Sequence, residues 1–139
     1  MAPGADSSSR SRRPRRTSAR AVAHILIVED SELVSAALRT LLEAVGHRVS
    51  VAGSIRDALA TADADPPEVT LLDLVLPDGD GLSVARHIRA ARHQTIVFAL
   101  TGRDEPEVAA SCLSAGCHAV LVKPVPTREL ISRITASLQ

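Results

Sequence analysis

The length of 139 residues allows one domain with a sizeable core, and the formal net charge is zero. Two cysteines, Cys112 and Cys117, are too few for the disulfide framework of a small secreted protein, so we expect reduced packing residues. No apolar run is long enough for a membrane helix, and no long apolar segment follows the Arg-rich start, as a secretory signal requires. These features favour a cytoplasmic protein.

The neutral total hides two unlike parts of the chain. Residues 1–22 contain six arginines and one acid, a charge of +5, so the remainder carries −5. Ser, Arg, Pro and Ala dominate residues 1–22, which leaves almost nothing to bury. We therefore predict a disordered basic Arg/Ser-rich arm at 1–22 and one folded domain at 23–139. The arm is either a solubilising leader or a segment that binds nucleic acid or a partner protein.

Apolar runs alternate with helical patterns from the end of the arm onward. The run His24–Val28 is typical of a strand, and Ser31 is placed to cap a helix that Gly46 ends. Arg48–Ala52 alternates like a second strand, and Ser54 opens the next helix. The first half of the domain therefore predicts two strand–helix units.

The second half continues the alternation with three more units. Val69–Asp73 is nearly all apolar, as a central strand covered on both faces should be. A turn is predicted at Pro77–Gly81, where Asp80 can cap a helix that runs to Arg92, and Thr95–Leu100 forms the fourth strand.

The last elements follow the same order. A helix begins at Asp104 and Glu105, with Pro106 in its first turn. The fifth strand is Ala119–Val122, and Thr127 is placed to cap the final helix. Strands that alternate with helices indicate a parallel sheet covered on both faces, and the chain is too short for a closed eight-fold barrel.

Polar residues stand at the ends of four of these apolar runs. Because parallel strands end at the same edge of a sheet, and open α/β sheets bind ligands there, we expect the side chains to converge. Three carboxylates, a hydroxyl and an ammonium form a set that can hold a divalent cation and accept a phosphoryl group on Asp73. The residues are Glu29, Asp30, Asp73, Thr101 and Lys123.

In these motifs the chain resembles the receiver domain of two-component response regulators, the CheY-like family. The resemblance runs from about His24 to Gln139 and rests on five matches in order after the expected strands. It implies a flavodoxin-like, doubly wound α/β sandwich of three layers, with five parallel strands in the order 2-1-3-4-5. The matching segments are Glu29-Asp30, the stretch from Asp73 to Gly81, Thr101-Gly102 and Lys123-Pro124.

The resemblance also implies a chemistry. The partner would be a sensor histidine kinase or a histidine phosphotransfer protein, whose phosphohistidine passes its phosphoryl group to Asp73. The protein would then be a phosphoacceptor switch that catalyses only its own phosphorylation and dephosphorylation. The implied ligands of Mg²⁺ are Glu29, Asp30, Asp73 and the backbone carbonyl of Val75. The implied phosphoryl partners are Thr101 and Lys123, and a cis peptide bond is usual before the proline that matches Pro124.

The chain departs from many family members at its readout position. Val120 stands where they carry Tyr or Phe, and Phe98 is the only aromatic residue of the sequence. We therefore expect activation to change the packing after Thr101 without an aromatic rotamer change. Val75 and Arg103 occupy positions that tune phosphoryl lifetime in the family, and we expect slow dephosphorylation.

The favoured interpretation is a single-domain response regulator that switches the binding of a downstream protein or relays phosphate. One alternative is an interaction module with a vestigial pocket, in which Asp73 and Lys123 form only a structural pair. Another is a nucleic-acid-associated protein that uses the Arg-rich arm, although DNA is the less favoured partner. A monomer and a phosphorylation-dependent homodimer both remain open, and a membrane partner is not expected.

Overall fold

The computed structural model of the protein describes residues 22–91 and 93–139. The predicted basic arm, apart from Val22, lies outside the described residues. Arg92, the predicted end of the third long helix, lies outside them as well.

Five strands form one parallel sheet with the order β2-β1-β3-β6-β7. When only these five strands are counted, the order is the predicted 2-1-3-4-5. Two further strands, β4 and β5, form a small antiparallel hairpin outside this sheet. The strands are β1 (His24–Val28), β2 (Arg48–Ala52), β3 (Val69–Asp73), β4 (Val75–Leu76), β5 (Gly79–Asp80), β6 (Ile96–Thr101) and β7 (Ala119–Val122).

Five helices connect and follow the strands. They are α1 (Glu32–Ala44), α2 (Ile55–Ala64), α3 (Leu82–Ala90), α4 (Pro106–Ala115) and α5 (Thr127–Ser137). The predicted caps of the first two helices are confirmed, because Ser31 accepts the N–H of Val34 and Ser54 accepts the N–H of Asp57.

The sheet separates two apolar cores because side chains alternate along each strand. Ile25 and Ile27 of β1 face the core that holds Leu130 and Ile134 of α5. Leu26, between them, belongs to the other core, which contains residues of α2, α3 and α4. Helices therefore cover both faces, and the flavodoxin-like three-layer sandwich is confirmed.

The bounds of one strand and the N-cap of one helix differ from the predictions, whereas the predicted turn is present. Strand β6 begins at Ile96, one residue later than predicted, and ends on Thr101. The predicted turn is the β4–β5 hairpin, and α3 has Gly81 at its N-cap, although Asp80 still accepts the N–H of Leu82 at 2.9 Å.

The predicted cap of the last helix is also wrong. Thr127 is the first helical residue of α5, and Pro126 occupies the N-cap position without a side-chain hydrogen bond. Proline fixes the extended φ that an N-cap needs, so it starts the helix without a capping hydroxyl.

No helix within residues 22–91 and 93–139 combines the length and apolar character needed to cross a bilayer.

Gly81 closes the hairpin against the end of β3. Its N–H donates to the carbonyl of Leu74 at 3.0 Å. A Cβ at this position would overlap the backbone oxygen of Asp73 and lie 2.9 Å from the Cα of Leu74. Only glycine therefore allows the chain to return this closely past Asp73.

We predict that Gly81→Ala destabilises the protein by roughly 1–3 kcal/mol, because the added methyl group must displace backbone rather than a flexible side chain. Urea denaturation followed by circular dichroism measures this change. Gly102→Ala is the matched control, since a Cβ there meets nothing within 4 Å. Equal stability of the two variants would contradict the close approach.

Two buried histidines predict that the fold weakens in mild acid. Burial lowers the pKa values of His24 and His47 below 6.5, and the positive charge of Arg48 adds to the effect on His24. Nδ1 of His47 accepts the N–H of Ala23 at 3.1 Å, a bond that protonation of Nδ1 removes. The unfolded chain therefore binds protons more readily, so the free energy of unfolding should fall as the pH drops below about 6.5.

Urea denaturation at several pH values between neutral and mildly acid conditions tests this expectation. In His47→Gln the fall should be smaller than in the wild type, because the amide oxygen keeps an acceptor that does not titrate there. An unchanged pH dependence in this variant would show that His47 does not contribute.

Candidate functional site

The functional side chains stand where four parallel strands end. Glu29 and Asp30 follow β1, Asp73 is the last residue of β3, and Thr101 is the last residue of β6. Lys123 follows β7 directly. We call this side of the sheet its carboxyl edge. The register places Asp73 beside Leu100 and Thr101 beside Val122, so the strand ends lie level with one another.

The three predicted carboxylates come together at the carboxyl edge. One oxygen each from Glu29, Asp30 and Asp73 lies within 4.8 Å of the other two. Glu29 and Asp73 are buried, whereas Asp30 is exposed. The carboxylates therefore form a small pocket that is closed on the protein side and open to solvent on the other.

Lys123 supplies the positive charge of this pocket. Its Nζ lies 3.7 Å from Oε1 of Glu29 and 3.6 Å from Oδ2 of Asp73. The peptide bond between Lys123 and Pro124 is cis, as the resemblance implies. Lys123 is thus shared between two carboxylates, and a simple structural pair with Asp73 alone is not what the structure shows.

Backbone donors orient the two buried carboxylates. Oε2 of Glu29 accepts the N–H of Ser31 at 3.0 Å, and Oδ1 of Asp73 accepts the N–H of Val75 at 3.1 Å. Burial raises the pKa of Glu29 and the charge of Asp73 adds to this effect, while the Ser31 N–H and Lys123 oppose it. Among the described residues, one ammonium contacts two of the three clustered carboxylates, so the pocket is short of positive charge.

Thr101 lies at the site, but its hydroxyl has another partner. Oγ1 accepts the backbone N–H of Arg103 at 3.0 Å, and the backbone carbonyl of Thr101 accepts the N–H of Lys123 at 2.7 Å. Nε of Arg103 donates to Glu105 at 2.8 Å. Among the described residues, the hydroxyl is therefore bonded to the loop after β6 and not to the carboxylates.

The side chain of Val75 is 77% exposed, so its backbone and not its side chain can serve the pocket.

The residue that fixes the hairpin, Asp78, could not be identified from the sequence. Asp78 accepts the N–H groups of Ile55 at 2.8 Å and of Arg56 at 3.1 Å, which ties the hairpin to the start of α2. These donors hold the pKa of Asp78 below its ordinary value. Pro-Asp-Gly indicates only a turn, and nothing local in the sequence points to a partner 23 residues away.

The donor set fits a hard divalent cation. Mg²⁺ prefers oxygen ligands and is held by one or two carboxylates while it keeps several waters. Glu29, Asp30 and Asp73 offer three carboxylates, of which Asp30 faces solvent. A dication would also supply the positive charge that one lysine does not.

Comparison with known proteins identifies the family. The family model of the response regulator receiver domain matches residues 25–135. The chain belongs to the response regulator receiver domain family. Receiver domains are the phosphoryl-accepting switches of two-component signal transduction, and the fold and the order of motifs agree with this membership.

The curated relatives of the chain are longer response regulators. The transcriptional regulatory protein KdpE of the KDP operon in Escherichia coli is 35% identical over 116 residues, which cover 84% of this chain and 51% of KdpE. The chain thus spans about half the length of the curated relatives it matches.

Solved structures show the same fold. A CheY-like receiver domain protein from Methanospirillum hungatei has a TM-score of 0.80 at 28% identity, covering 84% of this chain and 94% of that one. The receiver domain of the sensor histidine kinase PA1611 from Pseudomonas aeruginosa has a TM-score of 0.76 at 29% identity, over 84% and 97% of the two chains. That structure is described with a magnesium ion coordinated in its active-site cleft.

The repulsion among the three carboxylates can be tested by measuring the free energy of unfolding in the absence of divalent cations. Asp73→Asn should raise the free energy of unfolding by on the order of 1 kcal/mol, because it removes one of three like charges yet keeps an oxygen acceptor for Val75. Lys123→Met should lower it, because the buried carboxylates lose their cation. Urea denaturation in the presence of a chelator measures both.

The control for charge removal alone is Asp57→Asn, since Asp57 is exposed in the first turn of α2. If Asp73→Asn were no more stable than this control, repulsion within the pocket would not be significant.

Proposed function

We propose that Asp73 accepts a phosphoryl group from the phosphohistidine of a sensor histidine kinase or a histidine phosphotransfer protein. The observation that supports this most directly is the placement of Asp73 between two other carboxylates and the ammonium of Lys123. A buried carboxylate beside a cation and next to a site for a dication is equipped to react with an anionic phosphoryl group.

The transfer needs no other group to form or break a covalent bond. A carboxylate oxygen of Asp73 forms a bond to phosphorus while the bond from phosphorus to the histidine nitrogen breaks. The electron pair of that bond remains on the imidazole. Oδ1 accepts the N–H of Val75, whereas Oδ2 faces Lys123 at 3.6 Å, so Oδ2 is the oxygen placed to attack beside a positive charge.

Mg²⁺ is the proposed cofactor, held by Glu29, Asp30, Asp73 and the backbone carbonyl of Val75. When bound, the ion neutralises the repulsion between the carboxylate and the phosphoryl oxygens. The magnesium described for the related receiver domain of PA1611 supports the choice of metal. Glu29 and Asp73 are the buried carboxylate ligands and Asp30 is the exposed one, so the proposed site has one face open to water.

Phosphorylation would act as a switch through Thr101 and Lys123. The phosphoryl group adds about −1.5 to −2 charge and three acceptor oxygens at Asp73. The ammonium of Lys123 then gains a partner with more negative charge than either of the two carboxylates between which it is now shared. Oγ1 of Thr101 now accepts the N–H of Arg103 and its O–H can still donate, so a movement of this hydroxyl towards the phosphoryl group would also act on the loop that carries Arg103.

The proposed readout is the packing beyond Thr101 rather than an aromatic ring. Val120 is half-buried and packs against the core of α2, α3 and α4, in the position where many receivers carry Tyr or Phe. Val108 of α4 packs against the same core. A shift of the loop after β6 would therefore be transmitted to α4 through aliphatic contacts.

The proposed organisation is a single-domain response regulator at residues 23–139 with a basic arm at 1–22. Its proposed place of action is the cytoplasm, where it would act on a downstream protein. KdpE is named as a transcriptional regulatory protein, so the expectation that DNA is the less favoured partner stays a prediction. Monomer and phosphorylation-dependent homodimer also stay open predictions.

Intact mass after incubation with a small-molecule phosphodonor and Mg²⁺ tests the proposed acceptor. The wild-type protein should gain one phosphoryl group that hydroxylamine removes, as expected for an acyl phosphate. Asp73→Asn should gain none, and omission of Mg²⁺ should slow or abolish the reaction of the wild type. The sequence has no Trp or Tyr, so mass is a more direct readout than intrinsic fluorescence.

Asp57→Asn is again the matched control and should be phosphorylated like the wild type. An adduct of equal yield on Asp73→Asn would contradict the assignment of Asp73. The absence of an adduct on the wild type with both a phosphodonor and a cognate kinase would favour the alternative interaction module.

A further inference from the structure

A second cluster of metal-binding residue types lies away from the phosphorylation pocket. Nε2 of His87 is 2.9 Å from Oδ1 and 3.0 Å from Oδ2 of Asp63. Nε2 of His93 is 3.0 Å from the same Oδ1. The three residues come from α2, from α3 and from the segment before β6, so the fold and not sequence proximity brings them together.

The cluster lies at the opposite end of the strands from Asp73. Asp63 and His87 lie in the last turns of α2 and α3, and these helices return the chain to the starts of β3 and β6. Their last turns are therefore near the amino ends of the strands. A ligand at the cluster would bind independently of the carboxyl edge.

The chemistry of the cluster differs from that of the phosphorylation pocket. Imidazole nitrogens together with one carboxylate form a ligand set that suits zinc and similar transition metals, whereas Mg²⁺ prefers oxygen alone. Three protein ligands also leave a coordination position for water or another group. The side chains of Asp63, His87 and His93 are 51%, 34% and 18% exposed, so an ion can reach them from solvent.

The anchoring of the three groups favours a metal over a chance surface contact. Both imidazoles direct Nε2 at one carboxylate, and among the described residues they are the only ion-pair partners of Asp63. The N–H of His93 donates to the carbonyl of Ile88 at 3.1 Å, which fixes the backbone of this residue against α3. Hydrogen bonds from His93 and His87 hold the pKa of Asp63 below its ordinary value, so the carboxylate is ionised in neutral solution.

We propose that Asp63, His87 and His93 form a binding site for Zn²⁺ or a similar divalent transition metal that links α2 to α3. On binding, each neutral imidazole carries its proton on Nδ1 and presents the lone pair of Nε2 to the ion. The two N–H···O hydrogen bonds are replaced by metal–ligand bonds. Among the described residues only Glu29, Asp30 and Asp73 have ligand atoms that all lie within 4.8 Å of one another, so the rings of His87 and His93 must first move closer together to bind one ion.

Zn²⁺ titration of the full chain tests the proposal, with excess Mg²⁺ present to occupy the carboxyl edge. NMR of the histidine rings should show that Zn²⁺ shifts the Nε2 signals of His87 and His93 and leaves those of His118 unchanged. Calorimetry should show that His87→Gln, His93→Gln and Asp63→Asn each bind Zn²⁺ at least about 10-fold more weakly than the wild type. Zn²⁺ should also raise the thermal midpoint of the wild type more than those of the variants.

His118→Gln is the matched control because His118 is exposed and its Nδ1 accepts the N–H of Val97 outside the cluster. This variant should bind Zn²⁺ like the wild type. Failure of Zn²⁺ to shift the rings of His87 and His93 would overturn the proposal and leave the cluster as hydrogen bonds between two helices. Equal Zn²⁺ affinity in the wild type and in the cluster variants would overturn it as well. The outcome does not depend on phosphorylation of Asp73.

Discussion

The mutual repulsion of three carboxylates is the constraint on which the carboxyl edge of this protein depends. Glu29 and Asp73 are buried, and Lys123 is shared between them at 3.6–3.7 Å. Such an arrangement is costly without a dication, since burial and like charges both disfavour the ionised forms. The raised pKa of Glu29 is the local sign of that cost. The same imbalance makes the pocket suited to a dication, and a bound dication would in turn reduce the repulsion that an anionic phosphoryl group meets at Asp73.

The rest of the fold holds this pocket in place against that repulsion. The central strand β3 is buried along its whole length and ends on Asp73. Gly81 brings the hairpin back against the end of β3, and Asp78 fastens the hairpin to α2 through two backbone N–H groups. Val75 donates its N–H to Asp73 from within this hairpin. The orientation of the Asp73 carboxylate is therefore set by a glycine and an aspartate that themselves carry no chemistry at the pocket.

The strands and the polar residues at their ends could be predicted from the sequence, because buried parallel strands appear as apolar runs and their ends share one edge. Features that depend on tertiary contacts could not be predicted from the sequence. Asp78 has the local signature of a turn residue, but its partner is the start of a distant helix. Leu33 fits the apolar spacing of α1 and yet is 82% exposed, since no element within residues 22–91 and 93–139 covers that part of the helix. Asp63, His87 and His93 have no motif spacing and meet only because α2 and α3 pack side by side.

The hydrogen bonds of Thr101 indicate how a change at the pocket can be transmitted to the rest of the protein without an aromatic ring. Its carbonyl is bonded to the N–H of Lys123, and its hydroxyl to the N–H of Arg103. If Oγ1 were displaced towards a phosphorylated Asp73, its bond to the Arg103 N–H would be strained, while the backbone bond would still link β6 to the start of the segment after β7. The loop that leads into α4 is then released first, and Val108 and Val120 meet the resulting shift within one aliphatic core. In the proposed switch these two branched side chains would transmit the displacement through a close-packed interior, so the readout would not require Tyr or Phe at position 120.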